Sequence, residues 1–177
     1  MNKYIFLSNL RNVIKRKTTI ISMLLILASA ISNYLLIVSE QPNINSLSSF
    51  EYFTAIQGGG AGLLFVVLPI TLTLLTGDIF IKERNSSLIS FSLVKSDIET
   101  YIKNKLLSLG AINFLFLVSA QILILICALV IFPVKSSHID QGYAIFAKDL
   151  LYSNPLLYCS IIIFNSGLMS IFFSFLV

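Results

Sequence analysis

The residues of this chain that could do chemistry are few and poorly arranged for catalysis. His138 is the single histidine, and it shares a polar stretch with Lys135, Asp140, Lys148 and Asp149. One imidazole with scattered carboxylates makes neither a three- or four-ligand zinc set nor the oxygen cage of a calcium loop. That spacing predicts a solvated loop. Cys127 and Cys159 both sit in apolar runs, where thiols pack as small apolar groups more readily than they pair or react. No G-x-S-x-G nucleophile elbow and no G-x-x-x-x-G-K-[ST] phosphate loop occurs in the 177 residues. The sequence therefore predicts no enzyme, no cofactor and no bound metal.

What the residue pattern does offer is contact. Residues 86–105 form a polar, charged island between two long uncharged apolar stretches. Gly77 and Asp78 end the preceding stretch, and Lys82, Glu83 and Arg84 follow. Asn85, Ser86 and Ser87 are residue types that accept the free amides of a new helix, which would carry Leu88, Ile89, Phe91, Leu93 and Val94. Ser96 and Glu99 then spell S-x-x-E, a capping box in which hydroxyl and carboxylate satisfy amides at a helix start, so a further helix is predicted from near Asp97. The break at residues 94–96 makes the short preceding helix a separate, transverse element. Its apolar side chains suit two roles equally: a helix-in-groove contact with another protein, or a connector packed on lipid and neighbouring helices.

The elements around this island are hydrophobic. Residues 18–39, 52–77, 106–134 and 150–177 contain no Lys, Arg, Asp or Glu. Hydrophobic residues make up 56% of the chain and charged residues 11%, with a mean hydropathy of +0.91. About 20 apolar residues at roughly 1.5 Å rise cross a hydrocarbon core of about 30 Å. The runs show no in/out alternation, which excludes a β-barrel, and the first is too long for a signal peptide and lacks a small-x-small cleavage site. The predicted fold is a single all-α integral membrane domain over residues 1–177, with spans at about 18–39, 58–81, 104–132 and 155–177, the last opening on Asn154-Pro155. Lys3, Arg11, Lys15, Arg16 and Lys17 precede the first span, and Lys82, Arg84, Lys95, Lys103 and Lys105 lie between the second and third, whereas Glu40 and Glu51 stand between the first and second with no basic residue. The positive-inside rule puts the N-terminus and the island in the cytoplasm. This accounts for the net charge of +4 and gives no nucleic-acid footprint. Phe6, Leu10, Val13 and Ile14 recur at helical spacing, which predicts an amphipathic interfacial helix over 3–16.

Inside the spans, Asn33, Asn113, Gln121 and Asn165 are expected to join helices by hydrogen bonds, a role commoner than lining a path. Gly58, Gly59, Gly60 and Gly62 allow close helix approach or a flexible entry, and Pro69 a kink. No charged residue is expected near a bilayer centre, which argues against a proton relay.

The order of parts resembles the ABC-2 type permeases, membrane subunits of ATP-binding-cassette exporters. The resemblance covers residues 1–134 and rests on Asp78, Glu83, Arg84, Leu88, Ser96, Tyr101 and Lys105, read as D-x4-E-R-x3-L-x7-S-x4-Y-x3-K. Asn85, Ser86 and Ser87 stand where family members often have glycine, and Lys95 where they often have proline. The resemblance implies a cytoplasmic coupling helix between the second and third spans that docks on a separate ABC ATPase subunit. Glu83 and Arg84 would set registry there, and Leu88, Ile89 and Phe91 would be buried. It also implies a second permease copy or paralogue, a bacterial cytoplasmic membrane, and outward movement of a hydrophobic or amphipathic compound such as a peptide, antibiotic or lipid-like molecule. Such permeases usually have six spans. The abrupt apolar end at residues 170–177, without a basic flank, predicts a chain lacking the last two. The alternative is a non-transporting membrane protein, such as a bacteriocin-immunity or assembly factor, that uses the island as a connector.

Overall fold

A computed structural model of the chain describes residue 11 and residues 16–40, 48–58, 63–85, 98–134 and 146–176. Among these, the regular elements are all helical: α1 Lys17–Glu40, α2 Ser49–Gly58, α3 Leu63–Asn85, α4 Ile98–Ile131, α5 Lys148–Ser153 and α6 Pro155–Leu176. Three helices contain stretches long and apolar enough to cross a membrane, Lys17–Leu36, Lys105–Ile131 and Pro155–Ser174. In α3 the apolar part is shorter, Val66–Gly77. The expected interfacial helix over 3–16 lies outside the described residues except for Arg11, which is helical and exposed, and Arg16, which is not in a helix; the expected coupling helix lies outside them altogether.

Each long helix exposes large apolar side chains and buries polar ones among the apolar residues of its inner face. On α1, Ile20, Leu24, Ile31 and Leu35 are each about 60% exposed, while Ser22, Ser29 and Asn33 are buried. On α4, Leu107, Ile126, Val130 and Ile131 face outward, and Ser108, Asn113 and Gln121 inward. On α6, Leu156, Met169 and Phe172 face outward, and Ser170 and Ser174 inward. A water-soluble protein has the reverse polarity; this one suits a hydrocarbon surround, in which helices associate through small and polar residues. Most buried hydroxyls donate to a carbonyl of their own helix, such as Ser29 to Ile26 O at 2.7 Å and Ser170 to Gly167 O at 2.6 Å, so they are satisfied wherever the helix sits.

The pairs α1 and α3, α3 and α4, and α4 and α6 each run antiparallel. On α3, Thr71 receives the Ser22 hydroxyl of α1 on its carbonyl at 3.4 Å. Against α4, three contacts fix the register: the Ser49 amide donates to Pro133 O at 3.3 Å, Gln57 pairs with Gln121, and Leu75 packs with Leu109 and Ile112. Moving from Ser49 to Leu75 advances 26 residues, and α4 is retraced from Pro133 to Leu109 by 24, so α2 and α3 lie in succession along one side of α4. On its other side α4 meets α6, where Gly167 sits against Phe114 and Val118, and Gly110 against Ile171.

The segment expected as a second span over 58–81 thus falls on the last residue of α2 and on α3, which continues through Pro69 to Asn85. The helix predicted from near Asp97 begins at Ile98, and the last helix begins at Pro155. The stretch before it, read as a loop, contains α5, with Ala147 in the left-handed region at φ 36°. Tyr158 anchors this end: its hydroxyl oxygen accepts the Phe146 amide at 3.2 Å and its ring stacks on Phe146 at 4.7 Å.

Candidate functional site

Of the residues expected to contact an ATPase, Glu83 and Arg84 fall on the last turn of the α3 backbone, and Leu88, Ile89 and Phe91 lie outside the described residues, as does the capping residue Ser96. Glu99 is in the first turn of α4, exposed, and its Oε1 accepts a hydrogen bond from Lys103 Nζ at 2.6 Å, an i,i+4 pair. The described geometry brings none of these residues together as a site. It shows instead how the island is carried. α3 continues four residues beyond Ile81, the inner limit of the expected span, to Asn85, and α4 begins seven residues before its apolar stretch, from Ile98 to Lys105. At about 1.5 Å per residue the two projections are roughly 6 and 10 Å, at the same end of the bundle.

A second S-x-x-E, Ser48 to Glu51, closes a complete capping box that the sequence reading passed over. Glu51 Oε2 accepts from the Ser48 amide at 2.9 Å and from its hydroxyl at 3.0 Å, and Ser48 Oγ accepts from the Glu51 amide at 3.3 Å. All the residues from Ser48 to Ile56 are buried. Tyr52 wedges α2 between α1 and α4: its hydroxyl donates to Ala30 O at 3.2 Å, its ring stacks on Phe132 at 4.4 Å, and it meets Tyr34 edge-on at 5.9 Å. With Ser49 bound to Pro133, this clamps the start of α2 to the ends of α1 and α4.

At its other end α2 carries Gln57, which exchanges side-chain amide hydrogen bonds with Gln121, one of them at 3.2 Å. Gln121 is buried in the apolar stretch of α4, sixteen residues beyond Lys105. Asn33 lies sixteen residues beyond Lys17 on α1 and is also buried, at 4% exposure. Neither its Oδ1 nor its Nδ2 has a hydrogen-bond partner. A third buried amide, Asn113, donates to Ser174 Oγ at 2.7 Å and joins α4 to α6, as expected of a polar residue between spans. Asn165 is exposed. Cys159 is buried and Cys127 exposed, both as free thiols, and the described residues contain no group of three metal-ligating side chains. Lys105 is buried at the start of its apolar stretch.

The arrangement thus has a capped, buried helix reaching from one end of the bundle to the Gln57–Gln121 pair inside it. Carboxamides carry no charge and offer both donor and acceptor, so this pair can bind and orient polar groups. Comparison with protein-family models, with curated proteins and with solved structures returns no match to this chain.

Proposed function

We propose that this chain is the transmembrane subunit of an ABC-2 type exporter. It sits in a bacterial cytoplasmic membrane with its N-terminus inside, and it moves a hydrophobic or amphipathic compound using a separate ATPase. The observation that carries this reading is the pair of helical projections. α3 extends about one turn and α4 about two turns past their apolar runs at the same end, on either side of the charged island. A connector packed on lipid needs no such extension; an element that must reach a soluble partner and pass force back to spanning helices does. The absence of a phosphate loop from the sequence assigns ATP hydrolysis to that partner.

In this reading α2 and α3 together make the fourth crossing. The matched advance along α4 supports it: the two helices keep pace with one membrane-length partner from Pro133 to Leu109. Glu83 and Arg84 then emerge on the α3 projection, leading into Leu88, Ile89 and Phe91. Charges at the rim give registry, and the apolar groups supply the buried area. A second copy or a paralogue completes the permease.

The test is co-purification. The tagged chain, extracted from its native membrane in mild detergent, is expected to retain a phosphate-loop ATPase and to lose it when Leu88→Asp and Phe91→Asp are introduced. Recovery of no ATPase by a stably inserted chain would overturn the proposal in favour of a non-transporting membrane protein.

A further inference from the structure

Asn165 sits where a carboxamide is hardest to accommodate. The apolar stretch of α6 runs Pro155–Ser174, so Asn165 is ten residues from one end and nine from the other, roughly 14 Å from either at about 1.5 Å per residue. It is exposed, and among the described residues its side chain has no hydrogen-bond partner. The hydroxyls near it turn back on their own helix, Ser160 to Leu156 O at 2.8 Å and Ser166 to Ile163 O at 2.9 Å. A carboxamide brings two donors and an acceptor, and hydrocarbon offers none of them a partner. A residue of this kind at the middle of a span calls for another polar group beside it.

Its direction is set by the rest of α6. Ser174 lies nine residues further on, which at about 3.6 residues per turn is two and a half turns and therefore the opposite face. That opposite face is the one packed on α4: Ser174 Oγ accepts from Asn113 Nδ2 at 2.7 Å, and Gly167 sits against Phe114 and Val118. Asn165 thus points directly away from the chain's own bundle. On this outer face Ile161, Asn165, Leu168 and Phe172 follow at steps of four, three and four residues, the spacing of a heptad seam. Leu168 and Phe172 are exposed with it. One asparagine in an otherwise apolar seam is the device that fixes register and strand number between paired helices.

We propose that the outer face of α6 is the contact for a second copy of this chain, with the two Asn165 side chains hydrogen-bonded to each other across a twofold axis along the membrane normal. The occupant follows from depth. Copies inserted the same way present parallel α6 helices, so Asn165 is level with its own equivalent. A carboxamide is self-complementary, each N–H donating to the other carbonyl, and the interface is isologous. A purely aliphatic helix from another protein would leave the group unpaired. The association stands on α6 by itself; that the pair is the core of a permease rests on the reading above.

The test uses the full chain reconstituted in liposomes, half of it carrying a donor fluorophore and half an acceptor, with association followed by energy transfer as lipid is added. Reversible dimers are expected. Asn165→Leu should weaken them about three- to thirtyfold, the range for one hydrogen bond between membrane helices, and Asn165→Gln, which keeps the carboxamide, should weaken them less. The face is read separately by oxidative crosslinking in native membranes, in a background carrying Cys127→Ala and Cys159→Ala. Leu168→Cys and Phe172→Cys should give a disulfide-linked dimer, whereas Ser160→Cys and Phe173→Cys, about a third of a turn off the seam, should not. A chain that stays monomeric at every lipid ratio, an Asn165→Leu variant that associates as the parent does, or equal crosslinking from all four positions would overturn the proposal. Neither measurement contains an ATPase, so failure here and failure of the co-purification are separate results.

Discussion

At the scale of single residues, the contact between α4 and α6 is set by the absence of side chains. A Cβ at Gly167 would lie 2.7 and 2.9 Å from Phe114 ring atoms and 2.9 Å from Val118 Cγ2. The Phe114 ring has little room to yield, because it meets Phe164 edge-on at 6.0 Å. Overpacking of this kind costs about 1–3 kcal/mol, against which alanine's better helix propensity returns about 1 kcal/mol. Gly110 is less confined, with Ile171 Cγ2 at 3.2 Å and Cβ at 4.0 Å, and Gly77 has nothing within 4 Å. The three glycines therefore predict an order. Gly77→Ala should raise the unfolding midpoint, Gly110→Ala should leave it nearly unchanged, and Gly167→Ala should lower it, in denaturant titrations of the detergent-solubilised chain. The Asn113–Ser174 bond lies on the same seam, so a helix pair held at close approach by glycine is also fixed in rotation by one buried amide.

At the scale of elements, α2 depends on its cap more than the longer helices do. Ten residues are too few for a helix to persist on propensity, so burial and the Ser48–Glu51 box must hold it. Ser48→Ala is expected to cost about 1 kcal/mol, and Glu51→Ala more than Glu51→Gln, since glutamine keeps an acceptor for the Ser48 amide. Hydrogen exchange of the first-turn amides of α2 should quicken in the same order, while those of α4 stay protected; uniform change across both helices would argue against a local cap. The sequence reading found the S-x-x-E at Ser96 and passed over the one at Ser48, because Glu51 stands at the edge of an uncharged run and was counted as a loop acid. It placed the starts of α4 and α6 within a residue, since a capping box and an Asn-Pro pair are local signals. It read residues 58–81 as one span because hydropathy averages apolarity over a window and is blind to a change from α2 to α3. The Gln57–Gln121 pair was beyond its reach for another reason. Gln57 and Gln121 are 64 residues apart, and nothing short of the helix packing makes them neighbours.

At the scale of the whole molecule, the decisive property is which end of the bundle faces the cytoplasm. In the proposed orientation, which rests on five basic residues up to Lys17 and five between residues 82 and 105, the α3 and α4 projections lie inside, where an ATPase would find them. The opposite end then carries Phe132, Pro133 and Val134 at the close of α4, beside the clamp at the start of α2. Two exposed residues report the two ends. Lys103 lies on the α4 projection, and its pair with Glu99 is solvent-exposed and contributes little to stability, so cysteine is tolerated there. Val134 is 65% exposed at the far end. In a background carrying Cys127→Ala and Cys159→Ala, a membrane-impermeant maleimide should label Val134→Cys in intact cells and Lys103→Cys only in inverted vesicles. The reverse pattern would put the projections outside, beyond reach of any cytoplasmic ATPase. The export reading would then fail at its first requirement, although the packing of α2 against α1 and α4, which does not depend on orientation, would stand.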